Sequence, residues 1–291
     1  IDGGVILDAN LFHSFQEFNV SEDRSVYFAN PQGITDIFSR VTGNNPSNIF
    51  GKLGVLGDAN LFLINPNGIV FGENASLDVG GSFVASTANG VEFGERGVFS
   101  SSNPETPRLL NVSASALFLN AVNNQAAIQN NSVAPAGTDP AGFDVFGLRV
   151  ADGKSLLLVG GDVSMDGGEL HAYGGRIELG GLAAPGNVNI LFEGDNLKLG
   201  FPENVDRADV SLNNNATAVV SSGSSIAVNA RNLNILGSSI VSGVVTGEVN
   251  NELGNIEINT TETTTIDGTI STTSFTGIAS GIDGGSGSSA D

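Results

Sequence analysis

The sequence predicts an all-β chain that turns a corner after every strand, as a parallel β-helix does. Three observations carry that prediction. First, Asn60–Thr87 holds four short apolar runs, Leu61–Ile64, Ile69–Phe71, Ser76–Val79 and Ser82–Ala85, whose starts lie six to eight residues apart. That leaves no room for intervening helices and is tighter than the roughly 8–12 residues usual between sandwich strands. Second, Gly160-Gly161, Gly167-Gly168 and Gly174-Gly175 recur at a period of seven. Such pairs mark corners that need a positive φ or a close backbone approach. Third, Asn65-Pro66-Asn67-Gly68 suits a tight corner, with Asn opening a type I turn, Pro presetting φ and Gly closing it.

Composition agrees. Gly supplies 40 of 291 residues, Trp and Cys are absent, and there is one Met, while 40% hydrophobic content permits a real core. Turn formers mixed with β-branched residues favour strands over helices. The net charge is −20, from 31 acidic against 11 basic residues. Such a surface repels phosphates and anionic lipids, which argues against nucleic-acid and membrane-surface partners. The acidic residues are scattered, as on a solvated surface. Absence of Cys excludes disulfides, thiolate metal sites and Cys nucleophiles, and suits a chain that crosses a membrane unfolded. No stretch approaches the roughly 18 consecutive apolar residues of a spanning helix, so no membrane insertion is expected. No signal peptide precedes Ile1, so the sequence reads as mature or trimmed.

One domain is expected over 1–291. Residues 1–30 read as a cap, with Glu17–Val20 and Ser25–Phe28 flanking Ser21-Glu22-Asp23-Arg24 as a β-hairpin. Phe12, Phe15, Phe18 and Phe28 would plug the open end of the first coil. Residues 31–99 hold the first coils. Asn30-Pro31-Gln32-Gly33-Ile34 echoes Asn65–Ile69 in four of five positions, and Ile34, Ile37, Phe38 and Val41 have the spacing of a short helix. Residues 100–150 form a coil with extra-helical excursions: a loop at 100–108 with Pro104 and Pro107, a strand Ser115–Asn120, and a polar excursion Asn123–Gly142.

Residues 151–291 form further coils, with strands at Leu156–Val159, Val163–Met165, Glu169–His171, Arg176–Leu179, Val188–Phe192 and Asn196–Leu199. More follow at Asp209–Leu212, Ala218–Val220, Ser225–Val228, Asn232–Leu236, Ser239–Val241, Asn255–Ile258, Thr265–Asp267 and Thr269–Ser271. Asn213–Asn215, Asn229, Asn232 and Asn234 suit ladders between stacked coils. Three strands per turn give coils of about 20–24 residues, and a dozen coils about 4.8 Å apart would make a rod about 55 Å long. The uncapped SGIDGGSGSSAD tail suggests truncation from a longer protein.

For catalysis the richest window is Asp162, Asp166, Glu169, His171, Arg176 and Glu178, where paired carboxylates and a His could act as general acid and base. Asp162 and Asp166 flank Gly-Gly corners, however, where Asp is an ordinary turn residue. Eleven Lys and Arg supply an acidic polysaccharide poorly. Calcium repeats of the Gly-Gly-x-Gly-x-Asp type are absent, leaving only Gly161-Asp162 and Gly284-Gly285. Phosphate loops, nucleophile elbows and zinc spacings are missing as well. The expectation is no enzyme, no cofactor and no metal; a β-helix polysaccharide-active enzyme and a carbohydrate-binding adhesin domain stand as alternatives.

Asn10–Phe18, Ile37–Gly43, Ala59–Gly72 and Leu77–Thr87 resemble the filamentous-haemagglutinin-type N-terminal domain of two-partner-secreted exoproteins. Phe146–Gly168 (FGLRVADGKSLLLVGGDVSMDGG) is similar to the cyanobacterial branch. The resemblance implies a right-handed single-stranded parallel β-helix with an N-terminal β cap and extra-helical strands and loops. It also implies targeting to an Omp85-type (TpsB) outer-membrane transporter, whose periplasmic POTRA domains bind the chain. The domain would then fold at the cell surface after passing the periplasm of a Gram-negative-type bacterium, as a monomer. The family's Asn-Pro-Asn-Gly-Ile motif maps onto Asn65, Pro66, Asn67, Gly68 and Ile69. Its Asn-Pro-Asn-Leu motif is absent, with Asn30-Pro31 as a partial match.

Overall fold

The computed structural model describes residues 1–102, 112–120, 126–194, 196–221, 223–244, 254–269 and 275–282. Most of the expected 100–108 loop, and Thr269–Ser271 beyond its first residue, lie outside them. All regular elements among the described residues are strands. Most follow one another around three walls in which strands of successive coils pair in parallel, except for the antiparallel Val5–Leu7 and the unpaired step from Ser76–Asp78 to Leu148–Arg149; the others pair antiparallel outside the walls.

The first wall is a nine-stranded sheet: Val5–Leu7, Asn10–Phe15, Asp36–Val41, Asn60–Ile64, Phe83–Ser86, Ser155–Gly160, Arg176–Gly181, Ser225–Ala230 and Asn255–Thr260. The second is a seven-stranded sheet: Ser47–Ile49, Ile69–Phe71, Ile128–Asn130, Val163–Asp166, Val210–Asn213, Leu233–Leu236 and Thr264–Asp267. The third begins with Ser25–Ala29, Lys52–Leu56 and Ser76–Asp78. It continues as Leu148–Arg149, Glu169–Ala172, Thr217–Val220, Ser239–Val244 and Gly277–Ile282. A step from Asp36 to its register partner Asn60 is 24 residues, within the expected coil length.

The first wall is buried on both faces. Leu11, Ile37, Leu61, Phe83, Leu156, Ile177 and Ile226 stack in register into the helix interior. Their neighbours Phe12, Phe38, Phe62, Val84 and Leu157 face outward and are buried in a second core. That core lies beneath an antiparallel sheet of Val98–Ser100, Gly90–Glu92, Ala116–Leu119, Gly186–Glu193 and Asn196–Gly200. Both excursions that build it leave the helix just after a first-wall strand. Each fully buried Phe contributes roughly 1.5–3 kcal/mol, which is ample reason for the chain to make the detour.

Five expectations are corrected. Ile37, Phe38 and Val41 lie on the strand Asp36–Val41, because both faces of that strand are buried and its apolar residues need not alternate. Residues 17–28 form no hairpin: Ser25–Ala29 pairs in parallel with Lys52–Leu56, and Val20 bridges Ile49. The antiparallel cap is instead Val5–Leu7 on Asn10–Phe15, turning at Asp8 with φ 57°. Phe15, Phe18 and Phe28 cluster as expected, but Phe12 joins Phe38, Phe93 and Phe99 in the second core. Val188–Phe192 and Asn196–Leu199 form the extra-helical hairpin rather than coil walls. Among the described residues the first wall holds nine strands including the cap, fewer than the dozen coils expected.

Candidate functional site

Asn65–Ile69 forms the corner between the first and second walls, joining Asn60–Ile64 to Ile69–Phe71. Asn65 is fully buried, and its side chain uses its whole hydrogen-bonding capacity. Nδ2 donates to Asn45 O and Ser47 Oγ of the preceding coil, both at 3.0 Å. Oδ1 accepts from Asn67 N at 3.0 Å and Asn67 Nδ2 at 3.2 Å, an Asx turn closed by the motif itself. Asn67 Nδ2 also donates to Gly43 O at 2.8 Å. Gly68 has φ 114° and donates to Asn65 O, while its own carbonyl accepts from Ser47 N. Ile69 is fully buried between Ser47 and Ile128 of the coils on either side. Pro66 and Asn67 are half-buried and line a shallow groove with Thr42, Gly43, Asn89 and Ser101.

The echo of this motif sits elsewhere. Asn30–Ile34 is the corner from the third wall into the first, where Gly33 has φ 88° and Ile34 N donates to Pro31 O at 3.1 Å. Asn30 Oδ1 accepts from Ala59 N of the following coil at 2.9 Å. The same turn chemistry thus fastens one corner back to the preceding coil and another forward to the next.

A family model described as the TPS secretion domain matches residues 1–229, most of the chain. The chain belongs to that family. Among curated proteins, the Heme/hemopexin-binding protein of Haemophilus influenzae is 35% identical over 69 residues, covering 24% of this chain and 7% of that protein. Membership makes the chain a secretion domain of the two-partner pathway. No helix among its described residues is long and apolar enough to cross a membrane.

The TPS domain disperses the acid–base window over all three walls. Asp162 and Asp166 flank one second-wall strand, Val163–Asp166, about 13 Å apart at 3.3 Å per residue. Asp166 Oδ1 accepts from Asn214 Nδ2 at 2.6 Å, and Asp162 Oδ1 accepts from Asp209 N at 2.9 Å. Asp162 begins a corner ladder in which Asp209 Oδ1 accepts from Asn232 N, and Asn232 Oδ1 from Thr263 N. The Arg231 guanidinium, on both Asp209 oxygens at 2.8–2.9 Å, holds that carboxyl below the usual range. Among the expected Asn ladders, Asn259 Nδ2 donates to Asn229 Oδ1 at 3.3 Å.

Glu169 and His171 lie on the third wall. His171 is buried between Tyr173 and Glu169, with Nδ1 3.0 Å from the Tyr173 hydroxyl and Nε2 3.1 Å from Glu169 Oε2. Burial pushes the Tyr173 phenol up to about 12. Arg149 lies over the Tyr173 ring and donates to Ala136 O and Thr138 O. The cluster clamps the hairpin Pro135–Thr138/Asp144–Phe146 to the helix; of the expected excursion Asn123–Gly142, Ile128–Asn130 is instead a strand of the second wall. Arg176 and Glu178 pair with each other on the first wall beneath the antiparallel sheet.

One residue escaped sequence reading. Arg40 is fully buried, donates to Ser14 Oγ at 2.8 Å and Ser100 O at 2.6 Å, and lies 4.0 Å from the Phe99 ring centroid. It ties the antiparallel sheet's far edge to the first wall. Burial pulls its guanidinium down to about 10, leaving it charged at neutral pH. A lone Arg beside Ile37, Phe38 and Val41 was its only signal.

Proposed function

We propose that this TPS domain is recognised in the periplasm by the POTRA domains of an Omp85-type transporter, crosses the outer membrane unfolded, and folds at the cell surface as a monomer. There it nucleates a right-handed β-helix that the rest of a longer exoprotein extends. The match over residues 1–229 carries this reading. The absence of Cys is compatible with threading an unfolded chain. Stacked coils explain propagation, because each new strand finds a complete row of backbone partners on the coil before it.

Within this reading, Asn65–Ile69 serves the local fold on which export depends. Its two side-chain amides are engaged by Asn45, Ser47 and Gly43, which leaves Pro66 and part of Asn67 for a transporter to touch. Recognition falls instead on the extended chain before the corner closes, by strand addition. The cyanobacterial assignment rests on Phe146–Gly168. Heme or hemopexin binding belongs to the H. influenzae protein, of which the aligned part is 7%. The deciding experiment co-expresses the chain with the transporter gene beside its own and measures protein in the medium. Release that requires the transporter supports the proposal; equal release without it overturns it.

A further inference from the structure

Asn196–Gly200 is the outermost strand of the antiparallel sheet. Asn196, Lys198 and Gly200 stand opposite Glu193, Leu191 and Asn189 of the neighbouring strand. The N–H groups of Leu197 and Leu199 point the other way, off the sheet, where an edge strand normally offers them to water or to another chain. Here both are met by side chains of the first wall. Leu197 N donates to Ser155 Oγ at 2.9 Å, and Leu199 N donates to Glu178 Oε1 at 3.1 Å. Ser155 and Glu178 are each fully buried.

The two caps differ in one respect. Ser155 does its work as a neutral hydroxyl, which also donates to Asn196 Oδ1. Glu178 does it with an ionisable group at the end of the outward apolar row Phe12, Phe38, Phe62, Val84, Leu157. Arg176 donates to Oε1, so one carboxylate oxygen takes both donors. Oε2 is buried with no hydrogen-bond partner. A buried, half-satisfied carboxylate is expensive, and a neutral amide could have capped Leu199 equally well. What the carboxyl adds is titration.

We propose that Glu178 is a proton-operated latch, fastening Asn196–Gly200 and with it the extra-helical sheet to the coil wall more firmly in mild acid than at neutral pH. Burial pushes its carboxyl above the ordinary 4.5, and outweighs the opposing pulls of Arg176, the Leu199 N–H and Lys198. Among the described residues, Arg176 and Lys198 are the charges that pull against burial. The register neighbours of Glu178 on the first wall, Leu157 and Ala227, are uncharged. Glu257, one strand further, is exposed and bonded to Asn259, and Glu193 lies 3.7 Å from Lys198. The folded carboxyl therefore holds its proton more tightly than the unfolded one. The added stability is complete below 4.5 and is lost as pH rises through the folded value.

The test is amide hydrogen exchange on the 291-residue chain across pH 4–8, corrected for intrinsic rates. In the wild type, the opening constant at Leu199 rises with pH by up to about tenfold per unit while one proton is linked to opening. Glu178→Gln flattens that slope. Ser155→Ala raises opening at Leu197 equally at every pH, separating capping from titration. A Glu178→Gln protein that keeps the wild-type slope, or a wild type without one, overturns the proposal. Should Glu178→Gln fail to fold, carbon-detected NMR titration of the wild-type Glu178 carboxyl decides: a midpoint above 4.5 supports the latch, and one at or below it refutes it.

Discussion

Asn65→Ala removes a fully buried side chain whose four hydrogen bonds hold two corners together. Asn45 O and Ser47 Oγ lose their donors, and the Asn67 amide loses its acceptor. At about 1 kcal/mol net per bond, with buried partners left unmet, the loss is about 3–4 kcal/mol. Asn67→Ala gives up the Gly43 O bond and one contact to Asn65 from a half-buried position, so about 1–2 kcal/mol is expected. Asn65→Asp keeps the acceptor but sets a carboxylate against Asn45 O, and costs at least as much as alanine at neutral pH. Urea unfolding followed by circular dichroism gives the stabilities, and protein released beside the partner transporter gives export. The expected order of damage, Asn65→Asp, Asn65→Ala, Asn67→Ala, is the same in both assays. An Asn65→Ala protein with the wild-type urea midpoint would refute the hydrogen-bond reasoning. Equal stabilities with export lost only in Asn67→Ala would show that the transporter reads the motif itself.

Gly68→Ala places a Cβ at φ 114° and 3.2 Å from Ala127 O, whereas Gly33→Ala at φ 88° meets open space. Both strain the backbone, and Gly68→Ala costs more stability by about 1 kcal/mol, which a thermal melt reads as the lower midpoint. Arg40→Ala leaves Ser100 O and Ser14 Oγ without their donor and opens a void beside Phe99. A loss of about 3–5 kcal/mol is expected, with amide exchange at Val98–Ser100 rising before that of the helix walls. Removing residues 1–30 strips the cap from Asp36–Val41, and light scattering should detect aggregation; a soluble, folded product would show that the cap is dispensable.

The parts of the fold that local chemistry decides were legible. Gly167 and Gly174 have φ 71° and 66°, and an added Cβ on Gly168 or Gly175 would strike Asn130 O or Lys154 O, so those pairs had to be glycine. Partnerships between distant strands were not legible. Val188–Phe192 alternates as a wall strand would, and nothing within it says that its neighbour is Ala116–Leu119 of an excursion. Ser25–Ala29 carries a good hairpin turn before it yet finds its partner in the next coil, because stacking there buries Phe28 and Leu53 together. At the motif, the corner could be read from Pro66 and Gly68. The buried fate of Asn65 could not, since its partners Asn45 and Ser47 come from another coil.

The corner ladder running from Asp162 through Asp209 and Asn232 to Thr263 has a direction. In every step the earlier coil holds the side-chain oxygen and the later coil brings the N–H. A chain that halts after any of these coils leaves the ladder's side-chain oxygens idle at its growing end, while the backbone N–H of Val163, Val210 or Leu233 still awaits the carbonyl of Asp209, Asn232 or Thr263 from the next coil. Erase an early rung, and the next coil arrives with a donor that has nowhere to go. The side-chain rungs thus place the cost of a lost cap on the coil that follows it, while the backbone bonds at the same corners tie each coil to its successor.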